Sequence, residues 1–377
     1  MPRTLRVVQF GITKKSEAGM ELGFFTMPLH PPGANHADTL EADLKQLVYL
    51  DQLGYSEAWI GEHYTAEWEN IPAPDLLIAQ ALGVTSQIRL GTGVTCMPNH
   101  NPFYIAHRIA QLDQMARGRL NWGVGSGGFP GDLHVNGFDP RSGDNREMTR
   151  QAVELVLQLW EDPKPGNYKS QWWDFNIPEP EDDIALRMHL KPFQDPHPPI
   201  GVAGVSPKSE TLTLAGERGW LPMSINFVPE QMLVSHWSAV ESGAVSAGKT
   251  PDRSNWRIAR EVMVADSSAE ARKQALSGTL ARDMEGYFLK LLPRSKMMGL
   301  LKIDPNMPDS DVTVEYLVDN IFIVGSPEEV SEKLSALKEN VGGFGTLMAM
   351  GHEWEPEGFW KESMGLLKQE VLPKVTA

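Results

Sequence analysis

The sequence predicts an α/β fold of the (β/α)8 barrel class with insertions, on three observations. Strand-like and helix-like stretches alternate about eight times, the repeat of that barrel rather than of an open doubly wound sheet. Residues 88–128 hold one complete strand–helix–strand unit, and strands joined in this way are parallel. Both strands of the unit run into small residues, with Gly91, Gly93, Gly123, Gly125, Gly127 and Gly128 near their ends. A parallel crossover sends those ends to a common rim, where open backbone can approach a ligand. Any one of these glycines also suits close packing or a turn; their recurrence in consecutive strands points to a cofactor rim. No stretch reads as a linker, so the 377 residues are expected to form one barrel domain over 21–377 behind an N-terminal extension 1–20.

In chain order, Glu21–Thr26 is the first convincing strand, followed by a proline-rich loop to Gly33. Asp38-Thr39-Leu40-Glu41 reads as a capping box, and Leu40, Leu44, Leu47, Val48 and Leu50 give the helix one apolar side up to Gly54. The stretch 56–63 is a short strand ending in Glu62-His63, and an irregular loop with Trp68 and Pro72 leads to a helix over 74–85. Ile105, Ile109, Leu112 and Met115 recur at helical steps over Pro102–Ala116, with Asn101-Pro102 as cap and first position. A helix over 146–160, a proline- and acid-rich insertion over 161–199 and a strand over 200–203 follow. Ser206-Pro207-Lys208-Ser209 opens a helix that stops at Gly219. Further strands are expected over 221–225, 257–265, 321–324 and Thr346–Met350, with helices over 229–243, 269–280, Pro327–Asn340 and 359–371. The stretch 278–320 is too long for a minimal barrel loop. Its apolar runs, 287–292 and 297–301, lie among Pro293, Pro305 and Pro308 and are expected to form a lid rather than a helical insertion on the outside.

The net charge of −15 lacks the clustered basic footprint that a nucleic-acid or anionic-membrane partner needs. No run of apolar residues is long enough to span a bilayer, and the first residues lack a secretory apolar region, so a cytoplasmic protein is expected. The lone Cys96 excludes an intramolecular disulfide and a cysteine-cluster metal site, and reads as a small buried apolar residue. No metal is expected. Eleven Trp and seventeen Met imply large apolar surfaces, in a core or in a roomy pocket.

Several chemistries are absent from the pattern. There is no Walker loop, the glycines of 123–128 do not meet the dinucleotide fingerprint, and Gly125-Ser126-Gly127 lacks the spacing of a nucleophile elbow. Asp182-Asp183 reads as solvated. What remains is a site for an anion and a flat ring. Ser206, Lys208 and Ser209 stand after a strand and at a helix start, where free N–H groups favour an anion, although Ser206-Pro207 also reads as a simple cap. Arg146 opens another helix beneath the same rim and can grip a phosphate with two nitrogens. Together with the glycine-ended strands these residues suggest FMN or a related flavin. His63 ends its strand at the same mouth, as a general acid/base or a donor to an anionic oxygen, with His100 a weaker second candidate. Met27, Trp68, Phe129, Trp172 and Trp173 are candidate pocket walls, which favours a small apolar or aromatic substrate over a sulfonate.

These residues also carry a resemblance. Glu62-His63, Leu90-Gly91-Thr92-Gly93-Val94, the run 110–125 with Leu112-Asp113-Gln114-Met115 and Gly118-Arg119, then Arg146, Val202-Ala203-Gly204 with Ser206-Pro207, and Gly325-Ser326-Pro327-Glu328-Glu329-Val330 resemble the bacterial-luciferase-like flavin monooxygenases. The similarity runs from Glu21 to the C-terminal helix. It implies a TIM-like barrel that takes reduced FMN from a separate NAD(P)H:flavin reductase, reacts it with O2 to a flavin C4a-peroxide and inserts one oxygen atom into a substrate. By position it implies His63 beside the peroxide, a cis peptide at Gly93-Val94 under the ring, and Arg146 at the phosphate. Gly125, Ser126, Gly204, Val205, Ser206 and Ser209 complete the expected cofactor contacts. Luciferase itself carries a reactive cysteine where Gly125 stands, which argues against light emission and is expected to leave room beside the ring. A homodimer is expected. Two rivals stand beside this reading: a deazaflavin-dependent hydride-transfer enzyme of the same superfamily, and a catalytically silent flavin-binding partner subunit.

Overall fold

The computed structural model describes residues 19–139 and 141–376, so the expected N-terminal extension lies outside the described residues except for Gly19 and Met20. Eight strands close on themselves: β1 (Glu21–Thr26), β2 (Glu57–Ile60), β3 (Arg89–Thr92), β4 (Leu120–Gly125), β5 (Ile200–Gly204), β6 (Leu221–Ser224), β7 (Arg257–Arg260) and β8 (Thr346–Met350). β1 pairs with both β2 and β8, and the ring closes where β3 meets β4 through Leu90↔Leu120 and Gly91↔Asn121. Every neighbouring pair is parallel, as helical crossovers require. This is the (β/α)8 barrel that the alternation predicted.

Helix boundaries follow local chemistry. Pro102–Ala116 starts where expected, with the Asn101 side chain accepting from the Phe103 N–H. The first helix begins earlier than Asp38, at His36, because Asn35 is the cap and accepts from Ala37 and Asp38. Gly54 ends it at φ 79°, a left-handed conformation that glycine adopts without a Cβ clash. Its inner face is more polar than the apolar stripe suggested: Asp43, Gln46 and Asp51 are buried beside Leu47 and Leu50, while Leu40 is exposed. Met115 likewise faces solvent.

Three expected segments differ. The strand over 257–265 breaks at Glu261 into β7 and Val262–Val264; the second piece pairs with Ile323–Gly325 in a separate sheet, so the strand expected over 321–324 lies outside the barrel. At the break the Glu261 carbonyl accepts from the Ile323 N–H at 2.9 Å, which joins the second piece to its new partner, while the Glu261 carboxylate accepts from Asn226. The insertion 161–199 carries a hairpin, Gly166–Lys169 against Asp174–Ile177. The stretch 278–320 is helical through Thr279–Asp283, a π-turn at Met284–Phe288, Leu289–Arg294, Met298–Leu301 and Val314–Asn320. No helix among the described residues is long and apolar enough to cross a membrane.

Inside the barrel the lower end is filled and the upper end is open. Trp59 is fully buried in the centre, and a Cβ added at Gly91 or Gly201 would come within 2.7 Å of its ring. Those two glycines therefore make room for an indole, and Gly123 lies against the Thr92 carbonyl, where a Cβ would sit 2.0 Å away. Beside Trp59, Glu57 accepts from its indole N–H at 3.0 Å and from Arg257 at 2.9 and 3.0 Å. Arg257 and the other neighbouring donors hold Glu57 below the usual carboxylate range against the opposing effect of burial. The pair closes the barrel's lower end with charge fully satisfied.

Candidate functional site

A cavity of about 330 Å³ opens at the C-terminal ends of the strands. Its walls are apolar: Phe25, Met27, Met223, Met348 and Met350 from the barrel side, Phe129 from the loop after β4, and Phe288, Leu291, Leu292, Met297 and Leu300 from the segment over 284–301. That last group comes from the stretch the sequence marks as a covering segment. Against this lining stand a few polar groups, His63, Glu69, Ser224, Asn226, Ser295 and Arg257, the last paired with Glu57.

His63 follows β2 and sits between two carboxylates. Nδ1 lies 2.9 Å from Asp132 Oδ2, and Nε2 lies 3.3 Å from Glu69 Oε2. Asp132 is held rigidly, since its Oδ1 accepts from the N–H groups of Tyr64 and Thr65 at 3.1 and 2.8 Å and from the Thr65 hydroxyl at 2.6 Å. Burial works against a charged imidazole, but the hydrogen bond to Asp132 and the charges of Glu69, Asp132 and Glu62 together raise the His63 pKa. Glu69 behaves oppositely to an ordinary carboxylate: burial raises its pKa, only partly offset by His63 and by the hydroxyl of Tyr287, which donates at 3.0 Å. With Nδ1 taken by Asp132, Nε2 is the nitrogen through which the ring can exchange a proton with a bound molecule.

The floor beside His63 is Gly93-Val94, joined by a cis peptide bond, and both residues line the cavity. A Cβ at Gly93 would stand 2.9 Å from the Phe25 ring, so the backbone itself forms the surface there. Val205 also lines the cavity, whereas Gly125, Ser126, Arg146, Gly204, Ser206 and Ser209 do not. Gly125 leaves no free room: Val94 Cγ2 already occupies the place of a side chain, 2.5 Å from where a Cβ would stand. Gly204 is packed on Leu212 in the same way. Ser209, not Ser206, is the helix cap, and it accepts from Leu212 N–H; Ser206 is exposed in the loop before it. Ser126 is half-buried, with its carbonyl accepting from the Asn145 side chain, and Arg146 next in the chain is exposed. Since β4 and β5 are neighbours, the loops bearing Ser126 and Ser206 emerge side by side from the rim.

Met27 and Phe129 are cavity walls as expected, but the tryptophans are not. Trp68 lies behind the wall, stacked on Tyr287 at 5.7 Å, while Trp172 and Trp173 belong to the hairpin of the 161–199 insertion. His100 is a partner of Glu62, at 2.9 and 3.0 Å, rather than part of the lining. Cys96 is buried, and burial pushes its thiol pKa up. Sequence reasoning missed Asp132, Glu69, Tyr287 and Asn226. Asp132 comes from the short helix Pro130–Val135, whose only sequence signal is Phe129-Pro130 at its start. Among the described residues no group of three or more His, Cys, Asp or Glu side chains is arranged to hold a metal.

A closed parallel barrel with a polar, histidine-centred rim over an apolar cavity defines the class, and comparison with known proteins defines the family. Residues 20–343 match the model of the luciferase-like monooxygenases, and the chain belongs to that family. It is 32% identical over 373 residues to 3,6-diketocamphane 1,6-monooxygenase of Pseudomonas putida, covering 94% of this chain and 98% of that one. Limonene 1,2-monooxygenase of Rhodococcus erythropolis is 29% identical over 94% of this chain and 86% of its own. Among solved structures, the oxygenating constituent of the Pseudomonas putida 3,6-diketocamphane monooxygenase, a type II Baeyer–Villiger enzyme in complex with FMN, is 33% identical. It superposes with a TM-score of 0.87 over 94% of this chain and 98% of that one.

Proposed function

We propose that the protein is the oxygenating component of a two-component monooxygenase, which takes reduced FMN from a separate NAD(P)H:flavin reductase and inserts one oxygen atom of O2 into a compact alicyclic ketone. The observation that carries the reading is His63, held between Asp132 and Glu69 and facing the same cavity as Gly93-Val94. The similarity to the diketocamphane enzyme supports the cofactor and the ketone class.

The residues fit the cofactor. Gly93-Val94 and the open face at Gly128, where nothing lies within 4 Å of an added Cβ, suit a flat ring in the cavity. Ser126, Arg146, Ser206 and the loop through Val205 to Ser209 would hold the phosphate outside it, Arg146 by charge and the loop by its N–H groups. Bound reduced flavin supplies the electrons that activate O2. The protein's share is then positional and protonic. Phe288, Leu291 and Leu292 exclude water, the methionines shape an apolar berth for substrate, and His63 Nε2 donates to or takes a proton from the activated oxygen. Asp132 orients the ring and Glu69 returns the proton. The same placement of Phe288 to Leu300 supports a lid role for this segment. The whole reaction is tested by supplying photoreduced FMN, ¹⁸O2 and camphor without reductase. The expected product is a lactone carrying one heavy oxygen; reduced FMN that is stable to O2 while passing hydride to substrate would establish the deazaflavin-type chemistry instead.

A further inference from the structure

The cavity wall opposite the Gly93-Val94 floor has one amide. Asn226 follows β6, lines the cavity and is 7% exposed. Its Nδ2 donates to Glu261 Oε1 at 2.7 Å, its one side-chain hydrogen bond among the described residues. A carboxylate only accepts, so Glu261 fixes which end of the amide faces it; among the described residues the nitrogen retains a second N–H without an acceptor, and Oδ1 accepts no hydrogen bond. Glu261 is itself buried. It is 1% exposed, and its other oxygen, without a hydrogen bond among the described residues, faces His352 Nε2 at an ion-pair distance of 3.5 Å; His352 Nδ1 is 2.8 Å from the fully buried Asp283. The backbone carbonyl of Asn226 is held as well, by the buried Arg260 guanidinium at 3.2 Å. An amide anchored this firmly at the edge of an apolar cavity is a specificity device, because an unpaired buried donor penalises any ligand that cannot satisfy it.

We propose that Asn226 is the residue that recognises the oxygen of a carbonyl-bearing substrate, donating its second Nδ2 hydrogen to the C=O, with Glu261 as the residue that positions it. This deepens the oxygenase reading above, and rests on it for the cavity being the substrate site. A carbonyl transferred into an apolar pocket without a donor loses its hydrogen bonds to water, and its ligand then binds more weakly than the parent hydrocarbon. With the donor present that handicap is removed and reversed.

The test is equilibrium binding to the protein loaded with oxidised FMN, using three probes of one skeleton: camphor, borneol and bornane. Wild type is expected to bind camphor at least as tightly as bornane. Asn226→Ala is expected to weaken camphor about 5–10-fold while bornane stays within about twofold, as loss of one neutral hydrogen bond predicts. Asn226→Ser, which keeps a hydroxyl donor, should fall between them, and Glu261→Gln should reduce the camphor advantage without abolishing it. Wild type that prefers bornane, a variant that weakens all three probes alike, or one that weakens FMN instead would overturn the assignment. So would a selective loss of borneol, which would mark the oxygen of Asn226 rather than its N–H as the recognising atom. Turnover is a separate readout: discrimination without oxygenation sinks the proposed activity and leaves Asn226 its role, whereas oxygenation without discrimination does the reverse.

Discussion

His63 and His30 occupy the same rim and are bracketed in the same way, yet only His63 lines the cavity. His30 lies 3.0 Å from Asp43 and 3.3 Å from Glu353, and His63 lies 2.9 Å from Asp132 and 3.3 Å from Glu69. The brackets differ in both carboxylates: burial raises the Asp43 pKa, whereas against burial the hydrogen bonds from His63 and Thr65 hold Asp132 below its usual range, and the outer carboxylates differ in their partners. Glu353 is also held by Arg282; its hydrogen bond to His30, with the guanidinium, lowers its pKa to about 2, so its charge is permanent. Burial opposes a charge on His30, but the hydrogen bonds and charges of Asp43 and Glu353 raise its pKa to about 9. Glu69 has no second cation beside it among the described residues, and burial raises its pKa. His30 is 1% exposed in its side chain, and His63, at 13%, lines the cavity. His30 is thus a strut whose outer carboxylate is closed off by a further cation, while the His63 bracket opens onto the cavity.

Breaking the strut should have the largest effect. His30→Ala leaves Asp43 buried without its partner and is expected to cost about 3–5 kcal/mol of stability, read by urea denaturation, with the ratio of product formed to O2 consumed unchanged. A loss below about 1 kcal/mol would contradict the assignment. His63→Ala should lower coupled product formation by about 10²-fold, with hydrogen peroxide made instead, in addition to a stability loss from leaving the buried Asp132 and Glu69 without the imidazole. If coupling survived, the contrast between the two histidines would fail.

The next test is pH. His30 and His352 both have pKa values raised to about 9 from 6.5, so their ion pairs contribute fully below pH 6.5 and are lost as pH rises through 9. Stability is expected to fall by about 5 kcal/mol between those limits, about half of it from each histidine, and by correspondingly less in His30→Ala. Asp132→Asn should then cut coupled turnover about tenfold, because an amide N–H facing Nδ1 forces the proton onto Nε2 and removes the charge that raises the His63 pKa. The alkaline limb of the rate profile should move to lower pH. Tyr287→Phe is the gentlest change. Removing its hydroxyl raises the Glu69 pKa further, and the acidic limb should shift upward by roughly half a pH unit.

The sequence showed some of this and hid the rest for physical reasons. His63 and Gly93 were legible because a parallel barrel delivers strand ends to one rim, and residues just beyond a strand inherit that placement; Val94 and Val205 were reached only through the family resemblance. Asp132 was not, because a six-residue helix carries no periodic signal. Glu69 and Asn226 sit in irregular loops, and Tyr287 comes from a distant insertion that meets Glu69 only in three dimensions. The glycines misled in part. Gly91 and Gly201 accommodate Trp59, a contact invisible until the barrel closes, while Gly93 does form cavity floor. Asp43 and Gln46 fall outside the apolar stripe of the first helix yet are buried, because their partners, His30 and the His352 carbonyl, lie in other loops.

The contact between Val94 and Gly125 imposes an order on how this rim can change. A side chain at 125 would meet Val94 Cγ2 at 2.5 Å, so Gly125→Ala or Gly125→Cys alone crowds a packed spot. Once Val94 has been trimmed to Ala or Gly, the same replacement has space to enter. Descent toward a rim thiol from this chain is therefore a two-step path open in one direction, with position 94 as its gate, and libraries that vary 125 alone sample a closed door.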